Sequence, residues 1–282
     1  MQIYFAPYSL TPLKRLNRNS NLEPKNGVYL KAVTPQGEGF ADYFPHAIFG
    51  DKGCDHFLKE FHLQKDIYDQ KILHLLTNDL LYQNIPQIKI KNHQLWTGTE
   101  DLEAAVIKYK LLNPNDRTFL DPLKRGIRLR LDANALFNPE TFRLFLNSIP
   151  YELRPLIEYI EDPLIHGDWE DLGVKVATDI VRSKHFDVYI YRPNCQFYPD
   201  HQTKNIFSSY LGNDLGRWHT YCELVEKGDL SEIHGIMSRG FYQESTCFME
   251  GCYTEGFIPN PTLVKKMYEE LSKKDWIPLC KL

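Results

Sequence analysis

The strongest constraint on the fold is an alternation that runs through the middle of the chain. Short β-rich runs recur there, separated by turn residues or brief helical stretches. Eight such runs are legible: Gln87 to Lys91, Val106 to Leu112, Ile127 to Asp132, Leu156 to Glu161, Val174 to Asp179, Val188 to Arg192, Ile206 to Ser209 and Glu232 to Met237. Helices are predicted between some of them. Pro139 to Asn147 starts after Asn138 as N-cap with proline at the first helical position, and Leu215 to Val225 has apolar and aromatic residues at helical spacing. Strand alternating with helix points to a parallel sheet, open or closed into a barrel. The connectors Trp96 to Glu103 and Ser183 to Asp187 are short, so some outer helices must be single turns or missing.

The flanks read differently. A strand over Gly27 to Val33 precedes a helical stretch from Cys54 to Tyr82, with Phe57, Phe61, Leu63 and Ile67 near one face, which suggests a separate α+β layer. The tail from Phe241 to Leu282 holds a predicted helix, Pro261 to Leu271, after Asn260, and is expected to return onto that layer. The divisions expected are 1–84, 85–240 and 241–282.

Composition narrows the function classes. With 282 residues, 43% hydrophobic and a net charge of -4, there is no basic excess to neutralise nucleic-acid phosphates. Nowhere do 18 apolar residues run together, and the N-terminus lacks the pattern of a secretory leader, so a cytoplasmic protein without a membrane segment is expected. The six cysteines form no C-x-x-C pair and are read as reduced thiols. GEGFAD at Gly37 to Asp42 lacks the third glycine of a dinucleotide fingerprint and reads as a turn. The chain has no phosphate-binding G-x-x-x-x-G-K, no H-E-x-x-H and no G-x-S-x-G, and the histidines, His56 and His62 included, show no ligand spacing.

Acids end three consecutive runs: Asp132 in IRLRLDAN, Glu161 in IEYIEDP and Asp179 in VKVATD. All strand C-termini of a parallel barrel open on one face, so these carboxylates converge there unless each merely caps its own turn. Converging anions need a cation among them, and hard oxygens without cysteine or histidine favour Mg²⁺. Lys108 and Lys110 flank Tyr109, and period two puts both on one face. The same pattern in Lys89 and Lys91 is a rival, but Lys110 lies about one β/α unit before Asp132, whereas Lys91 lies further away. A desolvated lysine near a metal can serve as a base near neutral pH. Arg130 shares the face of Asp132, and Arg192 ends a later run across the opening; both are candidates to meet an anionic substrate. Ser208 and Ser209, before Gly212, could hold a carboxylate.

The sets KYK (Lys108 to Lys110), LRLDAN (Leu129 to Asn134) and IEYIEDP (Ile157 to Pro163) resemble the enolase superfamily, and within it the o-succinylbenzoate synthase family of menaquinone biosynthesis. VATD, the Arg192-Pro193 step, the serine pair and GEGFADYFPHAIFGD (Gly37 to Asp51) extend the likeness over most of the chain. The resemblance implies a (β/α)7β-type, TIM-like barrel under an α+β capping domain built from both chain ends. It implies Asp132, Glu161 and Asp179 as Mg²⁺ ligands, Lys110 as the base that takes a proton α to a carboxylate and then assists loss of water, and Lys108 as its partner. Arg130 resembles the arginine that meets the small carboxylate substrate, and the basic loop Lys14 to Arg18 lies where the capping domain reaches over the site.

At Arg192 the chain departs from the family pattern, which has lysine before that proline. A racemase or epimerase needs proton-exchanging groups on both faces, and arginine is a poor base; an elimination of water needs one base and a fixed cation. Arg192 therefore favours a one-base dehydratase over an epimerase, and the resemblance implies 2-succinyl-6-hydroxy-2,4-cyclohexadiene-1-carboxylate as its substrate. A racemase, dipeptide epimerase or cycloisomerase of the same superfamily, and a barrel that only binds, are the alternatives.

Overall fold

A computed structural model describes residues 1–13, 15, 21–46, 50–64, 66–84, 88–98, 101–165, 173–179, 186–199, 203–210, 212–236, 242–243 and 256–282. Lys14 and residues 16–18 of the basic loop, Gln87, Met237, Phe241, Cys247, Cys252 and residues 183–185 lie outside them. The N-terminal layer begins with a meander, β1 (Gln2–Leu10), β2 (Lys25–Thr34) and β3 (Gly37–Tyr43). Helices α1 (Cys54–Glu60) and α2 (Ile67–Tyr82) follow. GEGFAD is therefore strand rather than turn, and Gly37, at φ +139°, opens β3 directly after the two-residue turn from β2. Gly39 serves packing: a Cβ there would lie 2.2 Å from the carbonyl oxygen of Leu76, so glycine lets α2 lie directly against β3.

Phe57 and Phe61 are fully buried, Phe57 stacked on Tyr43 with ring centroids 3.6 Å apart, each contributing about 1.5–3 kcal/mol by burial. Leu63, expected on the same face, is exposed, because a left-handed residue, Gln64, ends the short 3₁₀ turn that carries it.

The middle of the chain supplies β4 (Lys91–Asn92), β5 (Gln94–Trp96), β6 (Val106–Lys110), α3 (Leu120–Lys124), β7 (Arg128–Asp132), α4 (Pro139–Asn147) and β8 (Ile157–Glu161). It continues through β9 (Val176–Thr178), β10 (Val188–Tyr191), β11 (Lys204–Phe207), α5 (Asp214–Lys227) and β12 (Ile233–His234). Strands β5 to β11 form one parallel seven-stranded sheet in sequential order. The first expected strand is displaced: pairing to β6 comes from Gln94–Trp96, past the expected end at Lys91, while Lys91–Asn92 pair with β12. Gly235 in turn bridges to Ser208 just past β11. Helix α4 starts as expected, with Asn138 and Thr141 forming a reciprocal capping box.

The chain ends in α6 (Pro261–Ser272) and β13 (Ile277–Lys281). Strand β13 pairs antiparallel with β1, so the tail does return to the N-terminal layer. The two layers are joined by a buried charge cluster. Lys71 of α2 reaches Glu223 of α5 at 2.7 Å, and the hydroxyls of Tyr82 and Tyr191 donate to the same carboxylate. Tyr191 precedes Arg192, so this cluster anchors the strand end that matters below. Among the described residues no helix is long and apolar enough to cross a membrane, and Cys54, Cys195, Cys222 and Cys280 are free thiols.

Candidate active site

The register of the parallel sheet brings the charged residues together. Lys110 is opposite Asp132 across β6 and β7, and Asp132 is opposite Glu161 across β7 and β8. Asp179 and Arg192 each stand one residue beyond β9 and β10. Inside the sheet's curl lies a small apolar cluster of Tyr159, Ala177, Val188, Ile190 and Ile206, and the charged residues rest above it by period two.

They form a row of alternating sign. Lys110 Nζ lies 2.5 Å from Asp132 Oδ2, and Lys108 Nζ lies 3.1 Å from the same oxygen and 2.5 Å from Glu161 Oε2. Arg192 Nη2 continues the row at 3.5 Å from Glu161 Oε1 and 2.5 Å from Asp179 Oδ2. Burial opposes every charge here, so each ionised group depends on its neighbours. Burial would lower Lys108, but Asp132 and Glu161 raise it above its ordinary value. Burial would raise Asp132, but the two lysines hold it below the usual carboxylate range. Glu161 is raised, chiefly by burial and by the neighbouring acids, despite Lys108. Burial would raise Asp179, but Arg192, a hydrogen bond from Asp162 and Lys108 together hold it below the ordinary carboxylate value.

A fourth acid, Asp162, went unnoticed in the sequence although it stands in the EDP step itself. One of its oxygens, with one each of Glu161 and Asp179, lies within 4.8 Å of the others. Burial and the charge of Asp179 push it up to about 9, and Thr178 donates a hydrogen bond to it. Asp162 has φ +42°, and Asn134 and Ala135 after β7 have φ +47° and +54°, so the backbone leaves both strands in a conformation costly for side chains. Those turns remain paired, Ala133 N–H to the Glu161 carbonyl and Ala135 N–H to that of Asp162. The donor set is all hard oxygen, buried and closely spaced, which fits a small divalent cation.

Not every expected residue joins the row. Arg130 shares the strand face of Asp132 but lies two residues deeper, and its guanidinium donates to Glu158 at 2.6 Å, to the Ile233 carbonyl at 2.8 Å and to His93 Nδ1 at 3.1 Å. With 1% exposure and these partners it ties the deep end of the strands together, away from the carboxylate row. Ser208 Oγ donates to the Gly235 carbonyl at 3.3 Å, and Ser209 N–H donates to it at 3.1 Å. The buried Ser209 hydroxyl has no hydrogen-bond partner among the described residues.

No family model matches the chain. It is 28% identical over 293 aligned positions, 86% of this chain and 88% of the relative, to the o-succinylbenzoate synthase of Bdellovibrio bacteriovorus. It also superposes on the crystal structure of o-succinylbenzoate synthase from Thermosynechococcus elongatus BP-1 with magnesium in its active site. There the TM-score is 0.64 at 15% identity, covering 96% of this chain and 100% of the other. The chain has the enolase-superfamily fold. An N-succinyl Arg/Lys racemase from Bacillus cereus shares it, at TM-score 0.65 and 13% identity over 94% of this chain and 98% of that one. The resemblance read from KYK, LRLDAN and IEYIEDP is thus borne out on two independent grounds, sequence and fold.

Proposed function

We propose that this chain is an o-succinylbenzoate synthase, a Mg²⁺-dependent lyase that converts 2-succinyl-6-hydroxy-2,4-cyclohexadiene-1-carboxylate to o-succinylbenzoate and water. The observation that carries the reading is the alternating row with Lys110 at one end and Arg192 near the other. The Bdellovibrio relative, which bears the same activity in its name, supports it. We further infer a (β/α)7β barrel over 85–240, capped by 1–84 and 241–282, in a cytoplasmic enzyme.

In this mechanism Asp132, Glu161 and Asp179 would hold Mg²⁺, which would supply positive charge to stabilise the substrate carboxylate as its α-proton leaves. Lys110 Nζ takes the proton from the carbon α to that carboxylate. The electron pair of the broken C–H bond forms the new double bond as the C–O bond to the hydroxyl breaks, and Lys110 returns the proton so that hydroxide leaves as water. One base on one face suffices for this sequence. Lys108 orients the site by bridging Asp132 and Glu161. Arg192, whose pKa is driven up by Asp179 and Glu161 against its burial, stays charged opposite Lys110 and stabilises developing negative charge.

That fixed charge counts against the racemase chemistry of the Bacillus cereus neighbour, which needs a second proton-exchanging group. The direct experiment follows loss of the cyclohexadiene absorbance with Mg²⁺, with EDTA, and in Lys110→Ala. Turnover abolished by EDTA and by the substitution is expected. A wild-type chain that binds Mg²⁺ without turning over this substrate would overturn the reading.

A further inference from the structure

Arg192 is held from two sides: Asp179 and Glu161 below, and above them an aromatic ring that the sequence did not single out. The guanidinium carbon lies 5.7 Å from the ring centroid of Tyr210, within cation–π range. Tyr210 follows the serine pair past β11 and is buried.

What fixes that ring comes from the other layer. The Tyr210 hydroxyl donates to Asp51 Oδ2 at 2.7 Å, and the same oxygen accepts the backbone N–H of His46 at 2.7 Å. His46 Nε2 donates to the Tyr210 carbonyl at 2.8 Å, and its ring meets the Tyr210 ring edge-on at 4.7 Å. His46 and Asp51 belong to the segment between β3 and α1, in the N-terminal layer. Tyr68 of α2 closes on the Tyr210 ring edge-on at 6.4 Å. Two residues of one layer therefore converge on a single residue of the other, Asp51 on the Tyr210 hydroxyl and His46 on its backbone carbonyl, and the Tyr210 ring lies over the guanidinium. A phenylalanine would fill the same space; only the Asp51 contact requires the hydroxyl.

We infer that Tyr210 is a positioning residue for Arg192, and that Asp51 and His46 latch it in place. The seating of the N-terminal layer and the placement of the cation opposite Lys110 are thereby coupled. The inference rests on the reading of Arg192 as the fixed cation of the dehydratase, but its physical content is the ring and the latch.

The test uses the full chain with Asp51→Ala, Tyr210→Leu and Tyr210→Phe. Three quantities are read: the ¹⁵N–¹H signal of Arg192 Nε, assigned with Arg192→Lys; amide exchange in the peptide carrying His46 and Asp51; and kcat and KM for the dehydration. Asp51→Ala is expected to shift the Arg192 signal, speed exchange about tenfold and raise KM more than it lowers kcat. Tyr210→Leu is expected to shift the signal and lower kcat about tenfold, the scale of a desolvated cation–π contact. Tyr210→Phe should recover most of that kcat but not the slow exchange. An Arg192 signal unmoved in Tyr210→Leu overturns the positioning role; one moved there but unmoved in Asp51→Ala overturns the latch. Should Tyr210→Leu fail to fold, Tyr210→Met, which also removes the ring but keeps its bulk, takes its place with the same outcomes. If the wild type does not dehydrate the substrate, the functional reading falls while the signal and the exchange still decide this one.

Discussion

Lys108 Nζ lies 2.5 Å from Glu161 Oε2, a buried ion pair at the centre of the charge row, and the same ammonium reaches Asp132 at 3.1 Å. Lys108 thus stands between two buried carboxylates that share it. Replacing it by Met removes the cation shared by both acids and leaves Glu161 only Arg192 at 3.5 Å and Asp132 only Lys110, and breaking a buried pair costs about 3–5 kcal/mol. Lys108→Met should therefore melt well below the wild type in EDTA, and Mg²⁺ should restore more of the loss than it adds to the wild type. Scanning calorimetry with EDTA and with Mg²⁺ checks this; equal Mg²⁺ shifts in the two proteins would remove Lys108 from that role.

Lys110 closes the row at Asp132 and, unlike Lys108, pairs with a single carboxylate of the row. Its replacement by Ala should lower kcat by about 10²–10⁴, the range of a lost general base, because the neighbouring amine, Lys108, stays tied between Asp132 and Glu161. Glu161 and Asp179 remain, so the rise in melting temperature on adding Mg²⁺ should persist. Turnover within a few-fold of wild type would reassign the base.

Much of this row was legible because strand periodicity and strand ends are local properties. KYK and RLRLD put their charges on one face by alternation alone, and three acids ending consecutive runs could converge only on one rim. What stayed hidden depends on contacts distant in sequence. Arg130 obeys the same alternation as Asp132, yet its guanidinium is taken by Glu158, His93 and the carbonyl of Ile233, partners no spacing reveals. Asp162 was obscured by the more obvious Glu161 beside it. The first strand of the sheet was misplaced because QIKIKN has the stronger β pattern, whereas QLW pairs with β6 through its position in three dimensions.

His46 gives the latch a pH limit. Burial lowers its pKa from 6.5 to about 4, so the folded chain binds it neutral while the unfolded chain binds a proton below about 6.5. Its contribution is fully present above pH 6.5 and is lost as pH falls toward 4, by at most about 3 kcal/mol. Urea unfolding at pH 7.5, 6 and 5 should show the wild type losing stability more steeply than His46→Gln over that interval. Parallel slopes would mean that His46 takes up a proton in the folded chain without cost.

The remaining prediction concerns the contact that sets α2 on the N-terminal sheet. A Cβ at Gly39 would fall 2.2 Å from the Leu76 carbonyl oxygen, a backbone atom that cannot rotate aside, so Gly39→Ala must push α2 away from β3. Overpacking of this kind costs roughly 1–3 kcal/mol. Helix α2 also carries Lys71, whose ammonium holds Glu223, and Glu223 accepts the hydroxyl of Tyr191 beside Arg192. Gly39→Ala should therefore lower the urea midpoint and raise KM as well. Gly53→Ala is the control: its backbone has φ -62°, nothing lies within 4 Å of the added methyl, and its effect should stay within about 0.5 kcal/mol. Equal midpoints for the two variants would show that α2 can shift against β3 without cost, and that close packing at Gly39 is not what seats this helix.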